Sequence, residues 1–496
     1  MRTTLHFLCC AFLTCALLAS GSAQGKVGDV IRTIDNGVPE FYDGFGLSMT
    51  MASGNVLVGA PYTTTAAGEV GAAYLMSGAT GVLVRKFDDP NPVAGDYFGG
   101  SVAAIGASVA IGAPGSDSQA THAGAVYLFN SSTGALLQTL RKPAPSLDDG
   151  FGACVAALGY NVLVGAPGAY DSDPAIAAAY LFNGATGALV RTFRNPAPGP
   201  DTRFGYSVTA LGGNVLVKGA RYDSGRDSWI GQAHLFNGST GGLIRTFQPP
   251  LPKAGQDVTI TVATAGEDVL IGARWYGGSP WSTGSAVYLM NGANGSIRKT
   301  FQPPGPGEHP NFGCALAMMG KNVLIADNSD SSLASGAGAV HLYDGQRGLL
   351  LKTFANPDPH SDDSFGTSLA VLDSAMLVGT PIDPAVGNQQ GAQGLVYMLQ
   401  AYGGTPAPGD LNFDGRVDMT DVTLMIPAYG TTNYGGWEKG DFNGDWKVNV
   451  GDLGMLGANF TGPARVDLGS PAVPEPATLA VLMLGALAAI WRRRPN

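Results

Sequence analysis

One repeat constrains this chain more than any other feature. Phe-Gly occurs at Phe45, Phe98, Phe151, Phe204, Phe312 and Phe365, and with Asp257-Val258 in the vacant slot the successive steps are 53, 53, 53, 53, 55 and 53 residues. The seven copies share a plan of four short apolar runs, exemplified by 98–104, 161–167, 125–129 and 189–193. Runs of β-branched and aromatic residues bounded by Gly, Pro and Asn predict strands. The third and fourth runs are joined by Asn183-Gly184-Ala185-Thr186-Gly187 and its copies, hairpin turns in which glycine supplies positive φ. Four antiparallel strands recurring at about 50 residues predict an all-β fold, a seven-bladed β-propeller.

The ring is also expected to close in a definite way. The seventh copy stops after 394–399 without a Leu-Val-Arg-Thr-Phe run, whereas an unmatched version, Val30-Ile31-Arg32-Thr33-Ile34, precedes the first Phe-Gly. An N-terminal strand would then complete the last blade and remove a free sheet edge. The repeat accounts for the composition as well: 73 of 496 residues are glycine and only 13% are charged. Glycine recurs in Phe-Gly, Gly-Ala-Pro and the turns, and strands buried between blades carry little charge. A net charge of −10 argues against nucleic acid as a partner, because phosphate binding needs clustered Lys and Arg. Cys9, Cys10 and Cys15 lie in the N-terminal apolar stretch. Cys154 and Cys314 then remain in nonadjacent blades, as small buried residues rather than a disulfide.

Phe45-Gly46 with Gly59-Ala60-Pro61, Phe98-Gly99 with Gly112-Ala113-Pro114, and Phe151-Gly152 with Gly165-Ala166-Pro167 resemble the FG-GAP family. These are the seven-bladed propellers of integrin α-subunits and many bacterial surface proteins, and the likeness spans residues 29–402. Family members often carry an aspartate-rich calcium loop between the two halves of the motif. Here that connection is only Leu211-Gly212-Gly213-Asn214 and its equivalents, so calcium is not expected in the propeller.

After the Pro- and Gly-rich linker 403–409 the chemistry changes. Asp410, Asn412, Asp414 and Asp421 alternate oxygen-bearing side chains around Gly415, the EF-hand-like pattern that wraps a hard cation. Asp441, Asn443, Asp445 and Asp452 repeat it 31 residues later, with Trp446 replacing the glycine. Tryptophan is costly at positive φ, so the second site is expected to be distorted or weaker. Val417 is expected to offer the first ion its carbonyl. Two twelve-residue loops ending in Asp, each followed by an apolar segment (422–426 and 453–460), resemble a type I dockerin. The resemblance implies a small α-helical module that folds on two Ca2+ ions and docks to a cohesin-like protein. Met419-Thr420 and Val450-Gly451 would face that partner.

Both ends read as addresses. Arg2, the apolar run 5–18 and the small residues Gly21, Ser22 and Ala23 have the layout of a secretory signal peptide, cleaved by signal peptidase before Gln24. Pro474, Glu475 and Pro476 precede the fifteen apolar residues 477–491 and then Arg492, Arg493 and Arg494. That stretch is shorter than the roughly 20 residues that span a bilayer comfortably, and it reads as a short transmembrane segment holding the chain transiently at the inner membrane. The three parts resemble the PEP-CTERM sorting signal of Gram-negative bacteria, which an exosortase is thought to cleave. The expected organisation is a signal peptide at 1–23, the propeller at 29–402, the calcium module at 410–462, a second linker at 463–472 and the sorting signal at 473–496.

No catalytic motif stands out. His234 and His341 occupy the register of Tyr74, Tyr127, Tyr180, Tyr288 and Tyr397, and His122, His309 and His360 sit singly in loops with no recurrent carboxylate partner. No Gly-x-Ser-x-Gly, His-Glu-x-x-His or phosphate loop occurs. Asp43, Asp96, Asp149 and Asp363 recur two residues before Phe-Gly, as turn caps or, alternatively, a ring of acidic ligands. The departures from repetition carry more. Trp229, Trp275 and Trp281 fall in the connections after the second strand of copies four and five, with Arg221, Tyr222, Arg226, Arg274 and Tyr276, where Gly-Ala-Arg replaces Gly-Ala-Pro. Aromatic faces and guanidinium forks suit a glycan or protein ligand; the competing reading is loops that bury their own aromatics. The expected function is an exported, non-catalytic surface or extracellular binding and scaffold protein. An extracellular polysaccharide-degrading enzyme, or a component of an enzyme complex, is the alternative.

Overall fold

The computed structural model describes residues 26–461 except 38–42, 169–176, 198–203, 278–281, 306–308, 382–393, 405 and 433–435. The repeat folds as four-stranded antiparallel units. Copy three is typical: Cys154–Leu158, Asn161–Ala166, Ala178–Asn183 and Leu189–Arg194 pair in chain order. The leading strands pack in a closed cycle: Ser48–Ala52 on Ser101–Ile105, then Cys154–Leu158, Val208–Leu211, Gln256–Ala265, Leu316–Met319 and Ser368–Leu372, which returns to Ser48–Ala52. The protein is thus mostly strand, a propeller-like ring with a small helical region at its C-terminal side.

The second strand explains why its apolar run is continuous rather than alternating. Val162 and Val164 pack with Ala110, Val126 and Leu128 of copy two, whereas Leu163 packs with Val215 and Val217 of copy four. Both faces are covered, so every position is apolar. Phe of Phe-Gly is fully buried and meets the third-strand aromatic of its own copy: Phe45–Tyr74 at 5.7 Å, Phe151–Tyr180 at 5.8 Å, Phe204–His234 at 5.8 Å and Phe312–His341 at 5.8 Å between centroids. The two histidines therefore stand in for tyrosine. Glycine is required where successive copies touch. A Cβ at Gly124 would lie 2.1 Å from the Phe151 carbonyl oxygen, and its φ is +82°.

The recurrent Arg of the fourth strand has a job too. Arg85 donates to the Ser132 carbonyl at 2.6 Å and Arg245 to the Ala293 carbonyl at 2.8 Å, tying each outer strand to the hairpin of the next copy. Arg32 does the same for Thr80 at 2.6 Å from the closing strand Val30–Ile34, which pairs antiparallel with Leu395–Gln400. Cys154 and Cys314 are free thiols. The signal-peptide and sorting-signal residues lie outside the described residues.

Copies four and five depart from this pattern. Their middle strands run Asn214–Asp223, Ser228–Asn237, Asp268–Gly277 and Ser282–Met290, nine or ten residues each against six in copy three, and the leading strand Gln256–Ala265 of copy five has ten against five. Regular second strands stop at Ala60, Ala113 and Ala166, before Pro61, Pro114 and Pro167. Proline has no N–H to give the ladder. Here Ala220 and Arg274 occupy that place and the ladder continues. The segments that carry Trp229 and Trp275 are thus extended strands, not irregular connections. The vacant Phe-Gly slot also moves by one residue. Val258, not Asp257, bridges copy four in parallel through Ile230, as Phe151 bridges Gly124, and the two copies join into one eight-stranded sheet. Asp257 instead accepts from the Trp229 backbone N–H at 2.7 Å.

Candidate calcium loops and ligand-binding face

The long strands bring the expected aromatics onto one ribbon. Tyr222 pairs with Trp229 across the ladder, their rings 5.2 Å apart, and Trp275 pairs with Gly284, Tyr276 with Thr283. Trp275 lies across Gly284, where a Cβ would come within 2.4 Å of its Nε1. It borders two open cavities of about 380 and 360 Å3, one shared with Arg274 and Tyr276, the other with Leu251 and Lys253. Two of the three arginines are engaged. Arg221 pairs with Asp223 at 3.2 Å and Arg226 donates to the Pro252 carbonyl. Trp281 lies outside the described residues.

The two Asp-rich loops share one hydrogen-bond scheme. Asp410 Oδ2 accepts from Gly415 N and Asp441 Oδ2 from Trp446 N, both at 3.0 Å. Asp421 Oδ1 accepts from Leu411 N at 2.8 Å and Asp452 Oδ1 from Phe442 N at 2.9 Å. Helix α1 (Met419–Met425) is capped by Asp418 and Asp421, α2 (Val450–Ala458) by Asn449 and Asp452, each in a capping box. The expected distortion of the second loop is absent. Both loops take positive φ at two places, Phe413 (60°) and Gly415 (82°) in the first, Gly444 (74°) and Trp446 (63°) in the second. Each loop thus holds one glycine and one strained aromatic, in swapped order. Carboxylate oxygens of Asp441, Asp445 and Asp452 come within 4.8 Å of one another, whereas Asp414 Oδ2 accepts from the Asn412 amide at 3.0 Å. The Val417 carbonyl, expected to face the first ion, instead accepts from Thr461 N at 2.7 Å and Thr461 Oγ1 at 3.3 Å.

Burial pushes the Asp410 carboxyl up to about 6, with the Asp421 and Asp414 charges adding to it, and burial raises Asp421 and Asp441 as well. Crowded carboxylates with no ion-pair partner among the described residues, oxygen-only donors and glycine-bearing loops fit a hard divalent cation. Asp410, Asn412, Asp414 and Asp421, and Asp441, Asn443, Asp445 and Asp452, would hold it.

Residues 408–461 match the type I dockerin domain. Residues 83–129 match the FG-GAP repeat and 472–494 the PEP-CTERM protein-sorting motif. The ring is similar to the crystal structure of the WD40 β-propeller domain of Doa1, at 11% identity and a TM-score of 0.43, over 76% of this chain and 97% of that one. No curated protein sequence matches the chain. The short transmembrane segment expected at 477–491 lies outside the described residues, and no described helix is long and apolar enough to cross a membrane.

The dockerin does not hang from a free tether. Leu411, Phe413, Val417, Trp437 and Leu456 share one core with Met319, Leu351 and Phe354 of copy six. The Arg347 guanidinium lies 4.6 Å from the Trp437 ring centre, Lys352 pairs with Glu438 at 3.3 Å, and the Asn322 amide ties the linker through the carbonyls of Tyr402 at 2.9 Å and Gly404 at 2.6 Å. Met419 and Val450, by contrast, are each 60% exposed.

The loop histidines do have carboxylate partners, which sequence spacing did not reveal. His122 meets Asp148 at 2.9 Å, His309 meets Asp327 at 2.8 Å and Asp330 at 3.7 Å, and His360 lies 3.8 Å from Asp363. The His309 cluster arises because copy six replaces Gly-Ala-Pro with Ala326-Asp327-Asn328. The recurrent aspartates cap their turns rather than form a ligand ring. Asp43 accepts from Phe45 N at 2.9 Å, Asp96 from Val93 N at 2.7 Å, Asp149 pairs with Lys142, and Asp363 accepts from Asn356 at 2.7 Å.

Proposed function

We propose that this is an exported, surface or extracellular binding and scaffold protein. Its seven-bladed propeller holds a glycan or protein ligand on the ribbon of copies four and five, and its dockerin attaches it, with two calcium ions, to a cohesin-like partner. The observation that carries the recognition role is Trp275, half-buried between two cavities on strands that, among the described residues, lengthen only in these copies. The dockerin match and the exposed, symmetry-equivalent Met419 and Val450 support the assembly role. The sorting motif at 472–494 supports export and exosortase processing.

Glycan-array binding by the wild type and by Trp275→Ala tests the face: signal lost in the variant supports it, and unchanged signal overturns it. Pull-down from the source's secreted fraction, with and without a chelator, tests the docking: recovery of no calcium-dependent protein overturns it. The enzymatic alternative rests on His309 with Asp327 and Asp330. Their side chains are only 12%, 0% and 7% exposed, and Asp327 Oδ1 is also taken by Ser329 at 2.8 Å. Polysaccharide hydrolysis that survives in the wild type and vanishes in Asp327→Asn would favour the enzyme.

A further inference from the structure

Arg274 is the member of the aromatic ribbon that the protein leaves uncompensated. It sits where the regular copies have Pro61, Pro114 and Pro167, on the strand Asp268–Gly277, opposite Thr259 and Ser285. Its half-buried guanidinium makes no hydrogen bond or ion pair among the described residues. Burial lowers its pKa from the ordinary value, outweighing the favourable charges around it. The Asp327 charge favours the guanidinium only from beyond pairing distance, its carboxylate being held by His309 at 2.8 Å, and burial pushes the Cys314 thiol up to about 11.

The lining of the same cavity also includes a residue with an unmet acceptor. Asn328 donates its amide N–H to Thr367 Oγ1 at 3.2 Å, while its Oδ1 is buried with no hydrogen-bond partner. An unsatisfied buried acceptor costs free energy until a donor arrives. Arg274, Asn328 and Trp275 line one cavity of about 380 Å3, large enough for a sugar ring. A guanidinium fork matches a carboxylate in geometry and charge. The acceptor calls for a hydroxyl, and an aromatic wall suits the apolar face of a pyranose.

Building on the ligand-binding face proposed above, we infer that this cavity binds a uronate unit of an acidic glycan. Its carboxylate lies on Arg274, a ring hydroxyl donates to Asn328 Oδ1, and the sugar packs against Trp275. An acidic peptide would satisfy Arg274 but bring no hydroxyl to Asn328, so it is the weaker occupant.

Calorimetric titration of the full chain with trigalacturonate, its methyl ester, galactotriose and an Asp-rich peptide tests this. Trigalacturonate should bind, and the ester and galactotriose at least about tenfold more weakly, as loss of a charge-assisted pair requires. Arg274→Gln should weaken trigalacturonate by a similar factor and Arg274→Lys by less, with Asn328→Leu costing about fivefold. The ester comparison uses unaltered protein, so it stands even if a variant misfolds. Equal binding of acid and ester, tighter binding of the peptide, or indifference to Arg274→Gln overturns the assignment. Galactotriose binding that depends on Trp275 but not Arg274 overturns the carboxylate while sparing the glycan face. Binding of the peptide alone overturns the uronate and leaves a protein ligand on the face. Silence from all four probes overturns both.

Discussion

Copies three and five are versions of one repeat, yet one ends its second strand at a proline and the other runs four residues past that point. In copy three, Phe151 is fully buried and its carbonyl faces Gly124 so closely that no side chain fits. In copy five, Val258 holds that place, and a Cβ at the matching Gly231 would stand 3.0 Å from its carbonyl. The lesson is that at this contact the regular copies are fixed by close approach, whereas copies four and five relax it in favour of longer ladders that carry aromatics and an unpaired arginine.

The strongest way to break this contrast is by truncation. Phe151→Ala should destabilise by about 3–5 kcal/mol and Val258→Ala by about 2 kcal/mol in urea unfolding. Equal losses would mean that copy five is as tightly fixed as copy three. The two dockerin loops extend the comparison to a second duplicated element. Calcium at a hundredfold over its dissociation constant should stabilise the module by about 2.7 kcal/mol per ion. Asp410→Ala and Asp441→Ala should each remove one such increment in calorimetric melts. If Asp441→Ala alone had no effect, Trp446 would be incompatible with an ion after all.

Histidine gives a smaller, pH-dependent test. Burial lowers His234 from 6.5 to about 4, so the folded protein keeps it neutral while the unfolded chain takes up a proton below about 6.5. The stability is present above that pH and is lost as pH falls toward 4. His234→Tyr, which restores the residue of the regular copies, should gain about 1–2 kcal/mol at pH 5 relative to its effect at pH 8. A pH-independent difference would contradict the burial. His309 has the opposite sign. The Asp327 hydrogen bond raises its pKa, so its contribution fades as pH rises through the raised value, and His309→Gln should flatten that limb. The smallest effect belongs to the latches: Arg85→Ala should cost about 1 kcal/mol or less.

Much of the ring was legible because its constraints recur. Spacing exposes Phe-Gly, the glycines, the tyrosine register and the closing strand, since each repeats or is conspicuously missing. The aspartate ladders of the dockerin were legible for the same reason. What escaped depends on pairings across the sequence. The one-residue shift at Val258 follows from ladder register, which spacing does not carry. Reading the Trp segments as loops missed that losing Pro167's counterpart permits a strand to continue; the missing proline was a necessary signal but not a sufficient one, since copy six has Asn328 there and its strand still stops at Asp327. The His309 cluster unites residues 18 and 21 positions apart in a single copy, so no comparison between copies could expose it. The swap of glycine and aromatic between the calcium loops was visible in the letters, but only φ shows that both positions are left-handed.

The closing strand has one more consequence. Val30 pairs with Leu399, so the first strand to leave the ribosome must wait for nearly the last. Order of synthesis and order of sealing run opposite ways, and the slow step of finding a distant partner comes at the end. Until then Val30–Ile34 is an open edge that any other strand can join. A chain cut short before Val396 therefore keeps that edge exposed, however many copies it has completed.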